Sequence, residues 1–148
     1  MKSLGLLVVR LVIGGLFVVH GYPKLFGGAG KGNSLSESTK QTLGQTFVDQ
    51  MEQGGIENTT GYMKSLDIPN PRAAAWAVSL AEFVGGLALI LGFKTRPIAA
   101  GLAFSQVVAI NTQHAEEGLV GGYELNVALL GAAATLAISG PGKLSLGG

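Results

Sequence analysis

An all-α fold, built as a bundle of four transmembrane helices, is predicted by the composition and the hydropathy pattern of the chain. Hydrophobic residues make up 47% of its 148 residues, and the charged share of 13% is about half of what globular proteins carry. Most apolar residues fall in four stretches whose lengths approach the ~20 residues that a helix needs to cross a bilayer. The predicted spans, all in a single domain over residues 1–148, are residues 4–20, 73–93, 97–111 and 123–139.

Each stretch is expected to be a helix that is buried in lipid. Apolar residues lie on all faces without alternation, which argues against strands. A soluble bundle would show polar stripes, whereas these stretches contain only isolated polar residues. The first stretch follows Lys2 as a secretory signal would, but Arg10 interrupts it and no A-x-A cleavage pattern follows. We therefore expect the first stretch to remain in the protein.

The charges between the spans predict the orientation. The connection that contains Glu116 and Glu117 has no base. The flanks that carry bases without acids contain Lys2, Lys94, Arg96 and Lys143. Because positively charged loops stay in the cytoplasm, both termini are predicted to be cytoplasmic and residues 22–72 to lie outside.

The outer segment, residues 22–72, is predicted to be a long loop that contains one or two short amphipathic helices. Ser34 and Glu37 have the spacing of a capping box. Apolar residues follow at helical spacing, namely Leu43, Phe47 and Met51. Gly54-Gly55 would end this helix, and a second short element is expected around Tyr62, Met63 and Leu66.

A glycine-rich stretch, residues 27–34, precedes these helices. It fails the pattern of a phosphate-binding loop, because Gly32 stands where Ser or Thr would hold magnesium and Leu25 stands where the first glycine belongs. The stretch also follows a membrane span and not a strand. We therefore interpret Gly27–Gly32 as a flexible link.

Charged residues inside the spans need a partner or a function, because each costs at least ~2.5–3.5 kcal/mol in hydrocarbon. Glu82 lies at the centre of the second predicted span, and Arg10 lies close to the centre of the first. An ion pair between them is therefore predicted, in which guanidinium and carboxylate satisfy one another. Two roles stay open for this pair, a ligand site and a purely structural contact that fixes helix register.

A second polar group is expected toward the outer leaflet, at the ends of the spans. Its members are His20, Asn111, His114, Glu124 and Asn126, with Gln106 near the middle of the third span. Together they suggest a polar path toward the predicted ion pair. The candidate ligand-binding residues are Arg10, Glu82, Gln106, His114 and Glu124. Haem ligation by His20 and His114, or a metal site that adds Glu124, is disfavoured because nothing else in the sequence supports it.

Composition also excludes whole classes of function. The chain has no cysteine, which removes dithiol redox chemistry, thiolate metal sites and a cysteine nucleophile. Its net charge of +1, without a run of Lys or Arg, provides no electrostatic footprint for nucleic acid.

The chain resembles the DoxX family of small four-span membrane proteins over nearly its whole length. The likeness rests on the order and spacing of several motifs. These are Arg10 with Gly14, His20-Gly-x-x-Lys24, residues 47–71, Glu82-x-x-Gly-Gly86, Gly92-Phe-Lys-Thr-Arg96, Glu124 and Gly140-Pro-Gly142.

The resemblance implies a membrane bundle linked to quinone-dependent oxidoreductases, with thiosulfate:quinone oxidoreductase subunits among the relatives. On this basis the chain is expected to be a quinone-interacting accessory subunit of a membrane oxidoreductase system, with lipid and a membrane or peripheral redox enzyme as partners. Whether it is itself an enzyme, whether it forms a homo-oligomer, and whether any cofactor other than quinone binds are left open. Two alternative functions are a small-molecule or proton-coupled transporter and a non-catalytic membrane scaffold for a redox enzyme.

Overall fold

The computed structural model describes residues 2–147 and confirms the all-α fold. Within this range there are seven α-helices and an irregular π-helical turn, Leu119–Tyr123. The helices are α1 (Lys2–Phe26), α2 (Glu37–Leu43), α3 (Gln45–Glu52), α4 (Ile56–Ser65), α5 (Pro71–Leu91), α6 (Thr95–Thr112) and α7 (Glu124–Ser139). The only β-type pairing among these residues is an isolated parallel bridge between Phe93 and Gly147.

Among the described residues, three helical segments are long and apolar enough to cross a membrane: Ser3–Phe26, Pro71–Leu91 and Leu119–Ser139. The third predicted span forms α6, whose 18 residues rise about 27 Å. Its role as a fourth span stays a prediction.

The chain divides into two compact units, and both α1 and α5 contribute residues to each of them. The first unit contains residues 1–18 and 81–148. Its core is a cluster of buried apolar side chains from α1, α5, α6 and α7: Ile13, Phe17, Leu89, Ala99, Leu102, Leu129, Ala133 and Leu136. The helices α6 and α7 pack along each other. Polar side chains on these two helices can therefore contact one another directly.

A close crossing of α1 and α5 fixes the register of these two helices. A Cβ atom at Gly14 would lie 2.8 Å from the Gly86 carbonyl oxygen, and one at Gly86 would lie 2.7 Å from the Gly14 carbonyl oxygen. Glycine is thus required on both sides, because backbone atoms occupy the space of a side chain.

The second unit, residues 19–80, contains the three short helices α2, α3 and α4, so the prediction of one or two was too low. The predicted first helix is divided at Gly44, whose φ of 83° interrupts the helix between α2 and α3. The predicted capping residue is also wrong, because Ser36 and not Ser34 caps α2 by accepting from the Thr39 N–H at 3.2 Å. As expected, α3 buries Phe47 and Met51.

The glycine-rich stretch is an ordered turn and not the flexible link that the sequence suggested. The Glu52 carboxylate at the end of α3 accepts backbone N–H groups from this turn, at 2.5 Å from Gly30, 3.0 Å from Gly32 and 3.3 Å from Asn33. A Cβ atom at Gly32 would lie 2.3 Å from the Val48 carbonyl oxygen, so only glycine allows this approach to α3. The turn does bind an anion, but the anion is a side chain of the protein itself.

The contact between Glu52 and the turn is expected to weaken in acid. The hydrogen bond from the Gly30 N–H, with those from Asn33 and Gly32, holds the pKa of Glu52 below its usual range against the opposing effect of desolvation. The contribution to stability is therefore complete above the unfolded pKa of about 4.3 and is lost as the pH falls through the lower folded value. We expect amide exchange at Gly30 and Gly32, measured by mass spectrometry, to accelerate when the pH is lowered from about 5 to about 3, after correction for intrinsic rates.

The variant Glu52→Gln should exchange these amides rapidly at every pH in this range. The matched control is Glu57→Gln, which removes an exposed acid from α4 in the same unit. Protection in the turn that is equal in Glu52→Gln and the wild type would contradict this account.

Candidate functional site

Arg10 is the most completely buried charge of the first unit, with 1% of its surface exposed. Its Nη1 donates to the Pro141 carbonyl at 2.8 Å, and its Nη2 donates to the Leu144 carbonyl at 2.7 Å. A longer bond of 3.4 Å joins Nη1 to the Lys143 carbonyl. The guanidinium is therefore compensated by backbone dipoles of the C-terminal tail, defined as residues 140–147.

The predicted ion pair between Arg10 and Glu82 is wrong. The Gly14–Gly86 crossing places Arg10 about one helical turn to one side of the contact and Glu82 about one turn to the other, so that the two levels differ by about 12 Å along antiparallel helices. The sequence-based estimate assumed that α1 ends near His20, whereas the helix continues to Phe26. The midpoint of α1 therefore lies at Gly14, one turn beyond Arg10. The Arg10 guanidinium lies beside Gly92, just after the end of α5, and not beside the centre of α5.

The C-terminal tail is fastened by more than Arg10. The Leu146 N–H donates to the Leu91 carbonyl at 3.1 Å, and the Lys94 N–H donates to the Gly147 carbonyl at 3.0 Å. A Cβ atom at Gly92 would lie 2.6 Å from the Arg10 Nη1, so glycine at the end of α5 leaves room for the guanidinium. The tail thus forms a cradle around the cation.

A second buried polar contact joins α6 to α7. Gln106 is 4% exposed, and its Oε1 accepts from the Asn126 Nδ2 at 3.0 Å. The Gln106 Nε2 makes only a long contact of 3.4 Å with the Ser105 hydroxyl. The N–H groups of this amide pair therefore retain capacity to donate to a further acceptor.

The remaining candidate residues lie on α5, in the connection after α6 and on α7. Glu82 is buried in α5 with 7% of its surface exposed. The Nδ1 of His114 lies 2.7 Å from the Glu117 Oε2 in the connection after α6. Glu124 is exposed in the first turn of α7, where its negative charge interacts favourably with the positive end of the helix dipole. The structure thus joins Gln106 to Asn126 but does not gather all five candidates around one point.

No group of three or more His, Cys, Asp or Glu residues that could hold a metal ion occurs among residues 2–147. His20 belongs to the second unit. Two buried polar atoms of the first unit, the Arg10 Nε and the Thr95 Oγ1, have no hydrogen-bond partner within the described part of the chain.

Sequence reasoning placed Gln106 and Asn126 in the right region but missed their direct contact. It also missed the carbonyl cradle of Arg10. The signal was present in Gly140-Pro-Gly142, a run that ends α7 and turns the chain back. A Cβ atom at Gly142 would lie 2.6 Å from the Ser3 carbonyl oxygen, which shows how closely the tail approaches α1.

Comparison with known proteins yields a consistent set of relatives. The DoxX family model matches residues 5–115. The inner membrane protein YphA of Escherichia coli K12 is 27% identical over 149 aligned positions, covering 95% of this chain and 86% of YphA. The inner membrane protein YqjF of the same organism is 28% identical, covering 99% of this chain and 92% of YqjF. No solved structure matches the chain.

Proposed function

The chain belongs to the DoxX family of integral membrane proteins, and from this premise we propose that it is an accessory subunit of a membrane oxidoreductase system that holds a quinone headgroup. The amide pair of Gln106 and Asn126 carries the proposal. A quinone presents carbonyl acceptors on an apolar ring, and it needs donors placed in an apolar slot. The amide pair offers such donors between two apolar helices.

The proposal assigns unequal roles to the five candidate residues. Gln106 is the ligand-binding residue, together with Asn126, because both lie on the α6–α7 pair and have donor capacity left. Arg10 has a structural role, since its terminal nitrogens already donate to the tail. The buried acid Glu82 and the outer residues His114 and Glu124 are secondary candidates in the same proposal.

A quinone titration tests the proposal directly. The protein is reconstituted in nanodiscs, and decylubiquinone binding is measured by equilibrium partition into discs with and without protein. We expect Asn126→Leu and Gln106→Leu to weaken binding about 10-fold or more, because each loses a donor that the apolar site cannot replace.

The matched control is Asn111→Leu on α6. This amide is exposed, and its Nδ2 donates to the Val107 carbonyl of its own helix at 2.7 Å. The control should bind quinone within about twofold of the wild type. Absence of binding to the wild type, or equal weakening in all three variants, would exclude a quinone role for the amide pair.

The non-catalytic scaffold is the second candidate, and the cradle of Arg10 supports it. A cation whose two terminal nitrogens donate to backbone carbonyls of its own chain contributes to a fixed architecture. In this case the wild type binds no quinone while the bundle remains stable. The transporter function, the cytoplasmic position of both termini, a redox-enzyme partner and a homo-oligomer stay predictions.

A further inference from the structure

We infer that the C-terminal tail is a membrane-surface anchor that inserts Leu144 and Leu146 among lipid acyl chains while neighbouring bases bind anionic headgroups. The inference needs only the membrane location of the protein and is independent of the quinone proposal. It assigns a lipid-binding surface to a segment that follows the last helix and cannot itself span the bilayer.

The first observation is the conformation of Leu144. Its φ of 53° lies in the left-handed region, which favours glycine or asparagine over an ordinary side chain. The conformation is needed because the Leu144 carbonyl accepts from the Arg10 Nη2 at 2.7 Å. The backbone therefore explains why the turn exists but not why a leucine occupies it.

The second observation is exposure. The side chain of Leu144 is 82% exposed, and that of Leu146 is 73% exposed. Both side chains project from a backbone that is fixed to the rest of the unit, since the Leu146 N–H donates to the Leu91 carbonyl. Two large apolar groups on a fixed, non-helical segment are expected where the surroundings are apolar.

The third observation is charge. Three exposed bases lie at the same end of the unit: Lys143 within the tail, and Lys94 and Arg96 at the start of α6, where the Lys94 N–H donates to the Gly147 carbonyl. A Cβ atom at Gly140 would lie 3.2 Å from the Arg96 Nε, so the Arg96 side chain lies against the beginning of the tail. The acids of the unit lie in the middle of α5, in the connection between α6 and α7, or in the first turn of α7.

Together these features fit one occupant, the surface of a bilayer leaflet that contains anionic lipid. Bases near such a surface are attracted to the anionic headgroups. Apolar side chains that reach below the headgroups add the hydrophobic term. The apolar pair also lies beside exposed apolar surface, because Leu146 bonds to Leu91, which is itself 54% exposed at the end of a helix long and apolar enough to cross a membrane.

The experiment uses the absence of cysteine from the chain, which makes a single introduced thiol unique. Leu146→Cys carries an environment-sensitive fluorophore, and the protein is reconstituted in phosphatidylcholine vesicles with or without 30 mol% phosphatidylglycerol. Lipids brominated on the acyl chains serve as quenchers. The control label is at Ala115→Cys, which is exposed in the connection at the other end of the unit.

We expect bromolipid quenching at position 146 to exceed that at position 115 at least threefold, and to rise about twofold further with phosphatidylglycerol. Replacing Lys94, Arg96 and Lys143 by glutamine should abolish the rise. Leu144→Asn suits the left-handed backbone and should keep the fold, yet it should lower the quenching of the label at position 146 about twofold. Equal quenching at both label sites, or a phosphatidylglycerol effect that persists in the glutamine variant, would overturn the inference.

Discussion

Replacing Arg10 with methionine is expected to lower the free energy of unfolding by about 3–5 kcal/mol, measured by reversible unfolding of the detergent-solubilised protein. Methionine preserves most of the apolar stem but leaves the carbonyls of Pro141 and Leu144 without donors. Hydrogen bonds to a charged group are worth about 1.5–3 kcal/mol each, and removal of one partner leaves the others unsatisfied.

Release of the tail should accompany the loss of stability. In Arg10→Met, amide exchange at Leu146 and Lys94 should accelerate, because their N–H groups bond across the interface that the guanidinium stabilises. Arg10→Lys should recover only part of the stability, since one ammonium cannot reproduce the planar fork of the guanidinium.

The matched control is Arg96→Met. This arginine is exposed at the same end of the unit, so its removal should change stability by no more than about 0.5 kcal/mol. If Arg10→Met were as stable as Arg96→Met, the cradle would be an incidental contact and the structural role of Arg10 would be refuted.

The variant Gly14→Ala is expected to destabilise the bundle by about 2–3 kcal/mol, measured by the same unfolding assay. The added methyl group would lie 2.8 Å from the Gly86 carbonyl oxygen and 2.9 Å from the Ile90 Cγ1. A backbone oxygen cannot rotate away, so α1 and α5 would have to separate.

The neighbouring glycine provides a control on the same helix. Apart from its chain neighbours and the backbone of its own helix, a Cβ atom at Gly15 would meet no described atom within 4 Å. Gly15→Ala should therefore be neutral or stabilising by up to about 1 kcal/mol, because alanine has the higher helix propensity. Similar effects at the two positions would mean that the crossing does not limit how closely the helices approach.

A double variant sharpens the test. Gly14→Ala and Gly86→Ala are expected to combine with less than the sum of their effects, because one separation of the helices accommodates both methyl groups. Full additivity would indicate two independent sources of strain and would contradict a single shared crossing.

The helices could be predicted from the sequence because hydrophobicity and length are local properties. The apolar runs in α1, α5 and α7 need no information about neighbours to be recognised as long helices. Their ends were less accurate, since α1 continues through Pro23, a residue expected to lie beyond the helix. Because α1 continues past His20 to Phe26, the residues of α1 and α5 that lie at the same level differ from those predicted.

The hydrogen-bond partners of a side chain could not be predicted where the contact depends on helix register or on a segment that folds back from a distant part of the chain. Arg10 was recognised as a buried charge, but its compensation comes from backbone carbonyls, which have no residue signature. The same limitation applies to Glu52, whose partners are N–H groups of a turn about 20 residues earlier. By contrast, the approximate depth of Gln106 was sufficient to bring it near Asn126.

The cradle of Arg10 also constrains the order in which the protein can mature. Arg10 and the carbonyls that it bonds are separated by 131 to 134 positions, and the ribosome produces the arginine first. At ordinary elongation rates the delay is on the order of ten seconds. During this interval the cation of the nascent first helix must be solvated by water or headgroups. The guanidinium can therefore reach its final hydrogen-bond partners only after residues 141–144 have been translated.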